Sequence, residues 1–273
     1  MTKPKNQSPK RKRTPSDVKS RTSWEPVADW YARYIDSQAS AYQREIIFPG
    51  ALRLLEPKAD KRYLDIACGQ GAFTHFIAVK NHVQVTGIDA SESLIREAKK
   101  RALRTETFFV TDAAHFSSYV PRESFDGAVC LMAIQNIEHI GAVFHEASLV
   151  LKKDATFVLV MNHPCFRQPS QSGWGWDEKR KLQYRRVDRY LSAYDAPILA
   201  HPGSDRSIKT VSFHRPLGAY VNSLSRNGFT IDALEEWTSN KKSDSGPRAK
   251  AENFARQEIP LFLALRARKQ NKE

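Results

Sequence analysis

Cysteine is scarce in this chain: three in 273 residues, Cys68, Cys130 and Cys165, with no CxxC pair among them. That argues against a disulfide framework and a zinc ribbon, expects no metal site, and fits a reducing compartment. Long apolar runs are missing too. No stretch of about 18 apolar residues occurs, and no apolar segment follows the polar, basic N-terminus to make a secretory signal. The expectation is a cytoplasmic protein with no membrane partner. No internal repeat of fixed period is present, and with 41% hydrophobic and 27% charged residues, collagen-like, mucin-like and wholly disordered readings fail.

Acidic residues are few where basic ones gather. The formal charge of +13 is concentrated at the two ends. Residues 1–23 hold eight Lys or Arg against Asp17 alone, and residues 241–273 hold nine against four acids, which leaves the middle nearly neutral. The first 22 residues lack the apolar side chains needed to offset their ordering entropy, so a disordered basic tail is expected there and a folded domain over 23–273. Within the tail, Pro9-Lys10-Arg11-Lys12-Arg13 is a candidate nucleic-acid patch, or a nuclear address if the cell is eukaryotic. The basic loop 241–256 reads chiefly as a solvated connection.

From residue 61 onward, short apolar runs alternate with helical patterns, which predicts an α/β fold with a doubly wound, mostly parallel sheet. Strands are expected at 62–67, 83–89, 107–111, 125–131 and 156–161, then at 230–234 and 259–265. Helical stripes run through Leu94, Ile95 and Ala98, through Ile140, Val143, Phe144 and Ala147, and through Leu217, Tyr220 and Leu224. An aromatic-rich helical segment, 30–55, precedes the first strand. An interruption over about 162–212 follows the fifth, and insertions of that length are usually functional.

The glycine loop carries the first chemical signal. Leu64-Asp65-Ile66-Ala67-Cys68-Gly69-Gln70-Gly71 places a strand end, a tight turn and a helix start in succession, the layout of a cofactor-binding turn. Eighteen residues after Gly71, the second strand ends at Asp89, whose carboxylate can accept both hydroxyls of a ribose; it can also cap the next helix. Asp112 ends the third strand at the same sheet edge and can accept the exocyclic amine of adenine. The third glycine of a dinucleotide fingerprint is absent, since Thr74 stands in its place, and no GxxxxGK[ST] loop occurs. Asp65 beside the loop repels a pyrophosphate but attracts an ammonium group.

These residues closely resemble the class I S-adenosylmethionine-dependent methyltransferases, particularly the type 11 methyltransferase domain, over residues 62–161. The resemblance implies a seven-stranded Rossmann-like sheet with its last strand antiparallel, a cofactor core at 61–161, S-adenosyl-L-methionine as cofactor, and methyl transfer as the reaction. It implies that Asp65, Ala67, Gly69 and Gly71 hold the methionine moiety, Asp89 the ribose, and Asp112 with Ala113 the adenine. It also places Leu131, at the end of the fourth-strand motif, against the cofactor, and brings Tyr42 of the N-terminal segment over it. Ala67 replaces the loop's first glycine, and Lys153-Asp154-Ala155 replaces the family's Pro-Gly-Gly turn.

Acceptor-side residues follow from position. His163 and His139 follow the fifth and fourth strands at the ligand edge, with His163 preferred as general base; either can equally be a loop histidine satisfied by backbone or water. Gln135 and Asn136 can line the pocket or bond their own turn. Trp174, Trp176 and Tyr184, with Arg167 and Arg185, form either a cap that selects the acceptor or a satellite core. The acceptor is expected to be a small molecule. Rival readings are an RNA or protein methyltransferase steered by the tail, a nicotinamide-dependent oxidoreductase, and a SAM-binding module without catalysis.

Overall fold

The computed structural model describes residues Trp24, Glu25, Ala28, 41–199 and 209–270; the basic tail and the aromatic residues Trp30, Tyr31 and Tyr34 lie outside these. Five parallel strands form the frame: β1 (Arg62–Ile66), β2 (Gln84–Asp89), β3 (Glu106–Val110), β4 (Phe125–Leu131) and β5 (Leu151–Asn162). Two hairpins follow, β6 (Ser172–Asp177) with β7 (Leu182–Val187), and β8 (Tyr194–Leu199) with β9 (Lys209–His214). β10 (Phe229–Trp237) and β11 (Phe262–Lys269) complete the main sheet, whose order is β10-β11-β5-β4-β1-β2-β3. β11 runs antiparallel to both β5 and β10, as the resemblance implied.

Helices cover both faces because their apolar stripes match the sheet. On one side α1 (Phe48–Leu55) and α2 (Ala72–Asn81) bury Leu54, Leu55, Phe73 and Ile77 against Val85, Val129 and Val158. On the other, α4 (Ile140–Val150) and α5 (Leu217–Arg226) bury Phe144, Ala147, Tyr220 and Leu224 against Phe157, Leu159 and Leu265. Between β2 and β3 runs α3 (Glu92–Lys100), capped at Ser91, whose side chain accepts from the Leu94 N–H at 3.1 Å. No helix among the described residues is long and apolar enough to cross a membrane.

Four departures from the sequence reading have local causes. β5 begins at Leu151, where the helix runs directly into the strand; Asp154 adopts the left-handed conformation (φ +60°) that a glycine would otherwise supply in this bulged register. The two hairpins fill the expected interruption and run on to His214; they are hidden because charged Arg185 and Arg186 interrupt the apolar alternation of β7. The turn between β6 and β7 is held by Asp177, whose carboxylate accepts from the Lys179 and Arg180 N–H groups at 3.0 and 2.9 Å. Within 241–256 a helix, α6 (Ala249–Glu258), replaces the second half of the expected loop, and β11 starts two residues beyond Pro260.

Candidate active site

The parallel register sets the ends of β1, β2 and β3 side by side, Ile66 opposite Ile88 and Asp89 opposite Val110. After β1 the chain turns through Ala67 (φ +57°), Gly69 (φ +58°) and Gly71 (φ +78°), closed by the Gly71 N–H donating to the Cys68 carbonyl at 3.0 Å. Ala67 holds a conformation that costs a residue with a Cβ about 1–2 kcal/mol. Gly71 is required twice over, because a Cβ there would lie 2.8 Å from the Phe108 ring that fills the space beneath the loop.

Asp65 is 2% exposed and accepts from the Thr74 hydroxyl at 2.7 Å. Thr74 thus has a positive role where a dinucleotide loop carries glycine. Burial pushes the Asp65 carboxyl up to about 7, opposed by Thr74 and aided by the nearby Asp89 charge. Asp89 accepts from Gly69 N–H at 2.9 Å through one oxygen and from Ser91 N–H at 2.8 Å through the other. Its pKa is also raised, chiefly by burial, with those two N–H bonds acting against the rise. Glu25 accepts from the Ser91 and Ser93 hydroxyls, which fixes part of the N-terminal segment beside Asp89. Asp112 is exposed and accepts from the Ala114 N–H at 2.8 Å, with Ala113 between them.

A cleft opens between this loop and the helical stretch before β1, lined by Asp65, Ala67, Gln43, Phe48, Leu131 and Met132. Gln43 begins a π-helical turn, Gln43–Ile47, that leads into α1, and its side-chain carbonyl is buried without a hydrogen-bond partner among the described residues. An unpartnered buried acceptor beside a buried carboxylate fits an ammonium group. Sequence reasoning missed Gln43; the Gln43, Ile47 spacing at i, i+4 was its only signal. Tyr42, the expected cofactor neighbour, packs edge-on against Phe262 with its hydroxyl 2.8 Å from Ser239 Oγ.

On the acceptor side the expected residues separate. His163 is 5% exposed; its Nδ1 accepts from Cys165 and Phe166 N–H groups at 3.2 and 3.4 Å, so its Nε2–H donates to Glu236 at 2.7 Å. Burial lowers its pKa below the ordinary imidazole value, with Glu236 opposing and Arg167 adding to the drop. The half-exposed member of the pair is Glu236, a residue sequence reasoning did not single out. His139 is exposed at the start of α4. Gln135 donates to the Met132 carbonyl at 2.8 Å and keeps its own carbonyl buried and unpartnered, while Asn136 ends the same 3₁₀ turn. Cross-strand pairing puts Trp174 and Trp176 on one hairpin face with Arg185, and Tyr184 on the other, opposite Gly175. Tyr184 is 44% exposed, so the three aromatics do not form one surface.

A seven-stranded sheet with this order, an antiparallel β11 and acids at three successive strand ends defines the class I methyltransferase architecture. Residues 64–154 match the family model described as a methyltransferase domain, and the fold around them is that of the class I S-adenosylmethionine-dependent methyltransferases, enzymes whose cofactor is S-adenosylmethionine. A crystal structure of an S-adenosylmethionine-dependent methyltransferase from Mesorhizobium loti superposes with a TM-score of 0.65 at 26% identity, covering 81% of this chain and 96% of that one. The chain is 31% identical over 133 residues to a 23S rRNA (uracil(1939)-C(5))-methyltransferase from Stenotrophomonas maltophilia, covering 46% of this chain and 29% of that protein. It is 29% identical over 111 residues to a ubiquinone/menaquinone biosynthesis C-methyltransferase from Rickettsia massiliae, covering 37% and 44%. The alignments thus span under half the length of these two curated relatives.

Proposed function

We propose that this chain transfers the methyl group of S-adenosylmethionine to a small-molecule acceptor at the edge formed by β4, β5 and the insertion. The reading rests chiefly on one juxtaposition: Asp65 and the unpartnered Gln43 carbonyl meet in one cleft, while Asp89 and Asp112 extend from it along the sheet edge. In this reading Asp65 and Gln43 orient an ammonium group, Asp89 takes the ribose diol and Asp112 the adenine amine. When bound, S-adenosylmethionine supplies an already activated methyl group, so an in-line displacement asks the protein mainly for positioning. Leu131 and Met132 form an apolar wall that keeps water from the reacting side.

The small-molecule part of the proposal draws on the insertion. The β6–β7 hairpin is tied to the chain just past β5, because Arg185 and Ser172 both donate to the Phe166 carbonyl, at 2.6 and 3.1 Å. That root narrows the acceptor edge and favours an enclosed ligand over an open polymer groove. An acceptor proton would pass to the half-exposed carboxylate of Glu236, with His163 as its positioning residue. NMR titration tests this pair: His163 should titrate below the ordinary imidazole value, and Glu236→Gln should lower it further by removing the carboxylate that favours the charged ring. An unshifted His163, or no change in E236Q, would dissolve the pair.

Thermal melting with SAM, S-adenosylhomocysteine (SAH), NAD and NADP at matched concentrations tests the cofactor. A ligand at 100 times its dissociation constant should add about 2.7 kcal/mol of apparent stability. Stabilisation by SAM and SAH alone is expected, and stabilisation by NAD or NADP alone would overturn the reading. The RNA alternative draws support from the charged tail and from the rRNA-modifying relative. It predicts RNA binding that weakens steeply with salt and is lost on removing residues 1–22.

A further inference from the structure

The insertion holds a concentration of positive charge that the cofactor site does not use. Arg167 and Arg185 both stack on Trp174, their guanidinium carbons 5.1 and 5.3 Å from the ring centroid. Neither is ion-paired among the described residues. Arg167 makes one long contact, Nε to the Pro260 carbonyl at 3.3 Å, and its two terminal nitrogens donate to no described protein acceptor. Arg185 spends its donors on Phe166 O and Ser172 Oγ, and Arg256 of α6 donates, among the described residues, to Ser243 Oγ alone, at 3.2 and 3.3 Å. Glu236, the nearby acid on β10, is held by His163 rather than by these arginines among the described residues.

Arg167 is close enough to Arg185 and Arg256 for their charges to act on it. Burial together with those like charges pulls its pKa down to about 10. A guanidinium withdrawn from water without a counter-ion is costly, and the cost is recovered when an anion binds its fork. Stacking on Trp174 fixes the plane of that fork in advance, a use for which arginine is suited and lysine is not. The cluster also adjoins the cleft: Tyr42 neighbours Arg167, and the next residue, Gln43, lines the cleft.

We propose that Arg167 and Arg185, ordered by Trp174, form with the neighbouring Arg256 an anion-binding subsite of the acceptor site, so that the methyl acceptor carries a carboxylate or phosphate group. The word acceptor rests on the methyl-transfer reading; the anion site itself does not. A neutral acceptor would leave the unpaired Arg167 without a purpose in binding.

Calorimetric titration of the full chain tests the proposal, with sodium phosphate and sodium malonate as separate probes against chloride at constant ionic strength. At least one probe should bind the wild type. Arg167→Met and Arg256→Met should each weaken it at least tenfold, while Lys99→Gln, which removes one charge from exposed α3, should leave it unchanged. Preference for phosphate would mark a phosphorylated acceptor and preference for malonate a carboxylate; either supports the subsite. No binding above chloride, or equal weakening by K99Q and R167M, would overturn it, and R256M keeps the test decisive if R167M does not fold. SAH titrated in parallel separates the two ideas: anion binding without SAH binding would sink methyl transfer and leave the anion site standing.

Discussion

Asp89→Ala is expected to weaken SAH binding by about 1–3 kcal/mol, or roughly 5- to 150-fold, the range for hydrogen bonds to a charged group. Both carboxylate oxygens already accept a backbone N–H, from Gly69 and Ser91, and each retains a second lone pair. In the proposed site those remaining lone pairs take the two ribose hydroxyls. The variant also strands the Gly69 and Ser91 donors, so the ligand-free protein should itself lose stability. Asp89→Asn separates the two effects, because its amide keeps one acceptor oxygen for the loop but presents donors where the second carboxylate oxygen stood. Calorimetry on all three proteins, with circular dichroism as the fold check, decides the matter. Wild-type SAH affinity in a folded D89A protein would remove Asp89 from the site.

Much of this frame could be read from local pattern. The strand ends at Asp65, Asp89 and Asp112 are legible because each closes a short apolar run, the first two before a helix start and the third before a turn, and the helix stripes at Leu94, Phe144 and Leu224 are buried as their spacing requires. Thr74 was legible only as a missing glycine; its bond to Asp65 is a tertiary fact about a buried carboxylate. Glu236 could not be found this way. It lies 73 residues from His163, in a strand whose alternation makes it one exposed acid among several, and only the β5-β11-β10 order brings the two together. Tyr184 illustrates the opposite failure: aromatic content suggested a shared cap surface, whereas a period of two along β7 turns it away from Trp174.

The pH dependence of cofactor binding should separate Asp65 from every other group at the site. With its carboxyl raised to about 7 by burial, the ligand-free protein holds a proton there in mildly acidic solution. An ammonium group placed against it favours the ionised form, so binding below that value must first expel the proton. SAH affinity should therefore rise about tenfold per pH unit on approach to pH 7, roughly 50-fold in all between pH 5 and pH 7, and level off above. The sign for folding is the reverse. A raised carboxyl adds stability below its unfolded value of 3.8 and loses it as pH climbs through about 7, so the ligand-free protein should soften over that window just where the liganded protein tightens. Asp65→Asn holds a neutral amide at every pH; it should bind weakly and flatten both profiles, while still accepting the Thr74 hydroxyl. Calorimetric titration of SAH at several pH values, with melts of the ligand-free protein alongside, measures the two slopes. A flat affinity profile in the wild type, or the same slope in D65N, would show that no ammonium group meets Asp65.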